Sequence, residues 1–348
     1  MTGYSPEPSH SASQSQGPST PVSLNRIFGD QIVHRQDTGQ TTSSGGLPNP
    51  DLELLHHFTI TTSITISHNR SVQEVWQHLA PQEAFSHPFL MHGLLAISAL
   101  HIAYLRPESV GKYHNLAIEH YTSAMSLFRI VLDELSPDNA VPAFLLSSLL
   151  VCISSAMPKD PTQQLAPPLS STDPLQYIFG TFHLKRGIKQ VLSKSWPWVK
   201  DSALSPIFKV EFNDAETRLP SQEEAALSII VERVEAESES EESKAIYLGA
   251  IRELRRCYPF ENWDRAVQGL VFAWPVVVSA EFFQEMVDRK PLAMAILCYY
   301  GILMDASSHM WWIGDGGKRL VSATTELLGP EWERLTKWAT ARVGLAYP

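Results

Sequence analysis

Cysteine is scarce in this chain. Only Cys152, Cys257 and Cys298 occur, far apart and mostly in apolar surroundings. There is no C-x-x-C pair and no Cys/His cluster, which excludes a structural zinc site. Three scattered cysteines fit a reduced intracellular compartment, with each thiol read as core. Positive charge is short as well. The formal charge is −10, which argues against a nonspecific grip on nucleic acid or on an anionic membrane. The opening segment MTGYSPEPSHSASQSQG has no apolar h-region and is not a secretory signal. The most apolar early run, Pro88 to Leu105, carries His92 and His101, and reads as a buried helix rather than a membrane span.

Chemical signatures are missing too. No G-x-G-x-x-G opens a βαβ unit, and there is no Walker A sequence, G-x-S-x-G elbow or H-E-x-x-H helix. The aspartate-rich D-D-x-x-D and the N-x-x-x-S-x-x-x-E patterns that place Mg²⁺ ligands on class I terpene cyclases are also absent.

What is present is helical periodicity. Residues 1–48 are rich in Ser, Thr, Gln, Gly and Pro, bury too little to offset ordering entropy, and are expected to be a disordered tail. The domain is expected over 49–348, opening at Asn49-Pro50. The stretch LLHHFTITTSITI is ambiguous because its end is β-branched. Ser71-x-x-Glu74 reads as a capping box for a helix that stops before Pro81. His87 to Leu105 is apolar all round, as a central helix must be. Tyr113, Ala117, Tyr121, Ala124, Phe128 and Leu135 mark an amphipathic helix. Asp138 or Asn139 caps a helix reaching Ser154, and a Pro-rich loop occupies 157–174. Helices are expected at 175–192, from Ser221-x-x-Glu224 to the acidic run 235–243, and at 245–257, 262–273, 279–290, 291–309, 316–328 and 330–340. No strand pairs or hairpin turns appear. The fold class is all-α, one multi-helix domain with an apolar internal pocket.

Lys290 stands between two helical patterns and precedes Pro291, a residue favoured at the first helical position. Free backbone N–H groups at such a helix start attract anions, so Lys290 is a candidate phosphate ligand. The alternative is a lysine reaching to solvent from a helix end.

Six segments carry a family resemblance: DLELLHHFTITTSITIS, AFSHPFLMHGLLAISALHIAYL, YHNLAIEHYTSAMSLFR, FHLKRGIKQVL, WPVVVS and MWWIGDGGKRL. In that order they resemble the fungal regulators typified by the sterol uptake control protein, over about 51–343. The resemblance implies an all-α module with an apolar ligand pocket. It also implies an N-terminal zinc-cluster module, yet residues 1–50 hold no cysteine, no lysine and two arginines, so this chain is not expected to bind DNA alone. Gly316 departs from the family's tryptophan in the Gly-Asp-Trp-Gly-like turn.

The chain also resembles a small group of unusual fungal sesquiterpene cyclases, the humulene synthases of tropolone-sesquiterpenoid pathways. That resemblance implies a lyase that turns farnesyl diphosphate into a humulene-type product with Mg²⁺. Lys290 would hold the diphosphate, and Met286, four residues earlier, would shape product geometry on the same helix face. Trp274, Tyr299, Tyr300, Trp311 and Trp312 would face the carbocation. Oxygen ligands for Mg²⁺ are sought at Asp305, Glu119, Asp264, Glu285 and Asp288, although Asp305 lies about 22 Å beyond Lys290 on a straight helix. Two readings thus stand. The first is a cytoplasmic cyclase, a homodimer being allowed for. The alternative is a non-catalytic, lipid- or sterol-binding nuclear regulator.

Overall fold

The structure is a computed structural model and describes residues 49–157, 173–209, 219–258, 271 and 273–346. The tail expected over 1–48, most of the Pro-rich loop, most of the helix expected at 262–273, and Asp264 lie outside the described residues. Among the described residues every regular element is helical, so the all-α expectation holds.

Among the described residues fourteen α-helices succeed one another. They are α1 (Asn49–His57), α2 (Arg70–Glu74), α3 (Ala80–Ser86), α4 (Pro88–Leu105), α5 (Val110–Asp133), α6 (Ala140–Ala156) and α7 (Pro174–Val199). Then come α8 (Ser205–Phe208), α9 (Ser221–Glu237), α10 (Glu241–Cys257), α11 (Ala280–Val287), α12 (Pro291–Ala306), α13 (Gly316–Leu328) and α14 (Glu333–Arg342). Residues 273–277 are helical as well.

The ambiguous β-branched stretch is not a strand. Phe58–Thr62 forms a π turn and Ser63–Thr65 a 3-10 turn. Its hydroxyls bond back to nearby carbonyls, Thr59 to Leu55 and His56, Ser63 to Thr59, and Thr65 to Thr62. This local bonding keeps β-branched residues in a helical path while loosening its ladder. A second π turn, Val75–Leu79, joins α2 to α3. The wider turn accommodates Pro81 without ending the helix, because the proline ring clashes with the carbonyl four residues back only in a regular α-turn. The Gln77 amide donates to the Thr59 carbonyl at 3.1 Å and ties the two π turns together.

Caps differ from the sequence reading in three places. Asn69, not Ser71, caps α2, accepting the N–H groups of Ser71 and Val72 at 3.0 and 3.3 Å. Glu224 does not close a capping box with Ser221. It takes the Arg255 guanidinium of α10 and the Leu219 N–H instead. Asn139 precedes α6 without a side-chain cap, its amide being spent on Ser136 and Glu134 in the preceding turn. In each case a partner brought by packing or by the adjoining turn outcompetes the local pattern. The acidic run does break the helix as expected: α9 ends at Glu237, and Ser240 caps α10.

The core is built on helices with no polar face. α4 buries thirteen of its eighteen residues, and α6 and α12 are buried almost all round. Pro88–Leu105 is long and apolar enough to cross a membrane by length and composition, but most of it is enclosed by the surrounding helices. Each large side chain so enclosed contributes about 1.5–3 kcal/mol. α12 and α13 approach so closely that a Cβ on Gly317 would lie 2.2 Å from the backbone nitrogen of Asp305. Glycine is therefore required there.

Candidate functional site

The N-terminal half of α7 runs along a partly open cavity of about 200 Å³. Ser155 closes it from α6, Met304 from α12, Gly316, Arg319 and Leu320 from α13, and Trp312 and Ile313 from the turn between the last two. α7 supplies Tyr177, Ile178, Thr181 and Lys185. Asp173 fixes the start of this wall by accepting the Leu175 N–H at 2.9 Å.

The lining is mainly apolar. Most of its hydroxyls are engaged with backbone: Tyr177 donates to Ser154 at 2.6 Å, Thr181 to Ile178, and Ser155 to Val151. Lys185 is the exception in kind, a lysine only 5 % exposed. Its Nζ donates to the Tyr300 hydroxyl at 3.0 Å, and that hydroxyl donates in turn to the Val271 carbonyl at 2.7 Å. Burial pushes the Lys185 amine down to about 7. Burial also raises the Cys152 thiol to about 12, so it stays neutral at ordinary pH.

Beneath Lys185 lies an aromatic cluster. Trp274 stacks on Tyr300 at 4.8 Å, and Phe182 meets both edge-on. The Trp274 indole N–H donates to Ala250. Of the aromatic residues singled out from sequence, Trp312 lines the cavity, while Tyr300 and Trp274 form the layer under Lys185. Tyr299 points elsewhere, donating to Leu335 and packing on Trp338. Trp311 is remote from this layer, stacked on His101 at 4.7 Å with its N–H on Thr65.

Lys290 does occupy a helix start, as the N-cap residue of α12, but its side chain is exposed rather than buried. Nor does it share a continuous helix with Met286. α11 ends at Val287, and Arg289 turns the chain with φ 54°. Met286 is fully buried while Lys290 faces solvent, so the expected pairing on one helix face is not formed.

The carboxylates sought as Mg²⁺ ligands have other surroundings. Glu285 accepts from Tyr247 at 2.6 Å and Asp288 from Gln284 at 2.8 Å. Glu119 is exposed on α5. Asp305 sits in the last turn of α12, where burial raises its pKa and one of its oxygens has no hydrogen-bond partner among the described residues. Among the described residues no three His, Cys, Asp or Glu side chains are grouped to hold a metal ion.

Sequence reasoning missed Lys185 and Arg319. A signal existed for the first: Leu175, Ile178, Phe182 and Lys185 share helical spacing, so a lysine occupies the buried stripe of α7. No signal marks Arg319, which enters the wall only because α13 packs against α7.

Comparison with known proteins bears on the choice between the two readings. Residues 53–164 match the family model described as the fungal specific transcription factor domain. A Zn(2)-C6 fungal-type transcription factor of Gibberella zeae is 26% identical over 317 residues, which is 83% of this chain and 60% of that protein. Sterol uptake control protein 2 of Saccharomyces cerevisiae is 30% identical over 175 residues, half of this chain and 18% of the relative. Its namesake in Candida albicans is 29% identical over 165 residues, 47% of this chain and 22% of the relative. The chain thus spans less than two thirds of the length of these relatives. These matches overturn the cyclase expectation, and with it the lyase, humulene and sesquiterpene terms. The sequence similarity of this chain is to fungal transcription factors, which are not terpene cyclases.

Proposed function

We propose that this chain is a non-catalytic, ligand-responsive regulatory domain of the fungal transcription-factor type. In this reading an apolar small molecule enters the α6–α7–α12–α13 cavity and sets the state of the helices around it. The observation that carries the reading is the similarity to a fungal transcription factor over 317 residues. The cavity supplies its physical means. The matched span 53–164 includes α6, which closes one side of the cavity through Ser155.

Two relatives are named for control of sterol uptake, which favours a lipid-like ligand here. At about 200 Å³ the cavity is smaller than the ~300–1,000 Å³ of typical small-molecule sites. A sterol-sized occupant would need the half-exposed Met304 to swing out. A net charge of −10 gives no electrostatic grip on DNA, so the chain does not bind DNA by itself in this reading. It works in the nucleus as part of a regulator.

The test is a fusion of the chain to an unrelated DNA-binding module, assayed on a matching reporter in a fungal cell. Reporter output should change when membrane lipids are depleted or supplied. A fusion that is expressed, nuclear and silent under every such condition would overturn the reading.

A further inference from the structure

The cavity has a mouth, and most of what surrounds that mouth is fixed. The larger part of the described lining is buried, while Ser155, Pro174, Met304, Gly316 and Arg319 reach solvent. Pro174 is a rigid ring at the first position of α7. Ser155 is short, and its hydroxyl donates to the Val151 carbonyl at 2.7 Å. Arg319 is paired with Asp315 at 3.0 Å. Gly316 has no side chain to move. Nor does the backbone have room to shift. α12 and α13 meet at Gly317 and Asp305, and a Cβ on Gly301 would stand 3.3 Å from the Gly317 carbonyl oxygen. Helices packed this closely do not part by small degrees.

Met304 differs from its neighbours at the mouth. It is half-exposed in the last turn of α12, and its side chain is unbranched and flexible. Its terminal methyl lies over the bare backbone of Gly316, where a Cβ would stand 3.2 Å from it. We propose that Met304 is the gate of the cavity. It closes by lying across Gly316 and opens by swinging into solvent, and it thereby sorts apolar ligands by size. This rests on the reading of the cavity as a ligand site and adds to it a rule for which molecules enter.

The size rule follows from the space available. An apolar cavity of about 150 Å³ holds one benzene. The cavity of about 200 Å³ here takes a slightly larger molecule with the gate shut. A bulkier ligand must keep Met304 outside. Its apparent affinity is then lowered by the fraction of time that the gate stands open. The two kinds of ligand also leave different surfaces. A small one leaves the mouth unchanged. A large one holds an apolar side chain in solvent beside the turn between α12 and α13, which displays occupancy on the outside of the protein.

The experiment compares the full chain with Met304→Ala and with Ile178→Ala, which enlarges the cavity from its buried wall and leaves the mouth alone. Circular dichroism checks folding, and Ile178→Val stands in if the alanine variant unfolds. The small probe is toluene, titrated by calorimetry. The large one is N-phenyl-1-naphthylamine, a neutral aromatic whose fluorescence follows its entry in a stopped-flow mixer and whose displacement by toluene shows a shared site. In Met304→Ala the naphthylamine should enter and bind at least about tenfold faster and more tightly, with toluene affinity held within about threefold. In the Ile178 variant its entry rate should stay within about threefold of the parent. An entry rate that Met304→Ala leaves unchanged, or that the Ile178 variant raises as much, overturns the inference and makes Met304 plain wall. So does a naphthylamine shut out of Met304→Ala while toluene binds. Binding of neither probe to any of the proteins overturns the ligand-site reading itself.

Discussion

Arg289 has a left-handed backbone, φ 54°, and its guanidinium is paired with Asp173, the N-cap residue of α7. One residue thus ends α11 and anchors the first turn of the cavity wall. The Lys290 N–H reaches back to the Glu285 carbonyl at 3.0 Å and the Arg289 N–H to Met286, the bonding that normally has glycine at the left-handed position.

The two contributions of Arg289 oppose each other, and their sizes decide the outcome. A left-handed backbone costs a non-glycine residue about 1–2 kcal/mol. The ion pair is about 40 % exposed on each side and contributes under about 1 kcal/mol. Arg289→Gly should be at least as stable as the parent. Arg289→Ala, which keeps the strain and loses the pair, should be less stable by about 0.5–1 kcal/mol. Urea denaturation ranks the three proteins, and a glycine variant weaker than the alanine variant would contradict the assignment.

Gly317→Ala should be far more damaging. The added methyl would meet the Asp305 backbone, which cannot step aside without moving α12. The expected loss is about 1–3 kcal/mol or more. Gly301→Ala meets the Val321 side chain first and has a rotamer through which to relax, so thermal melts should show it as the milder of the two.

His101 links acidity to stability. Burial holds its pKa down to about 4, with nearby His57 adding to the effect. A histidine with a lowered folded-state pKa binds its proton more readily when unfolded. Its contribution to stability is therefore full above about 6.5 and is lost as the pH falls towards 4. The parent should lose melting temperature over that window. His101→Asn keeps an acceptor for Thr62 without the titration, and the slope of its melting temperature against pH should be shallower. Parallel slopes would remove His101 from the acid response.

Lys185 works in the other pH range. Its amine is held near 7 rather than at 10.5, so the unfolded chain binds the extra proton between those values. Stability from this residue rises as the pH climbs from 7 to 10.5. Lys185→Met fills similar space without a charge to bury and should melt higher than the parent at pH 6–7, by on the order of a few kcal/mol. That gain should shrink towards pH 10. A gain that is flat with pH would show that the amine is not strained by burial.

Much of the fold was legible because it rests on local patterns. α13 spans Gly316–Leu328, the range its amphipathic spacing indicates, and the all-apolar runs became the central helices α4, α6 and α12. The errors lie where a tertiary partner intervenes. Glu224 left its capping box for Arg255, and Asn69 took the cap that Ser71 was expected to fill. The site was less legible for a sharper reason. Lys290 draws the eye because a lysine before a proline carries a helix-start signal, yet the side chain is exposed. Lys185 sits inside the ordinary-looking run HLKRG, and its burial depends on Tyr300, which lies 115 residues away in sequence. Spacing within one helix can flag such a residue, but only the packing of α12 against α7 tells which lysine is enclosed.

The paired π turns near Thr59 and Gln77 bear on how this chain tolerates change in length. A π turn holds one residue more than the α-turn it replaces, and each added residue rotates the next helix by about 100°. Removing one residue from 58–62 would restore regular bonding there, but it would swing the face of α1 relative to the rest of the domain. The same holds at 75–79 for α2 and α3. The two turns are bonded to each other through Gln77 and Thr59, so a deletion in one removes the partner of the other. A deletion that takes out Thr59 or Gln77 itself therefore costs this hydrogen bond as well as the local turn geometry.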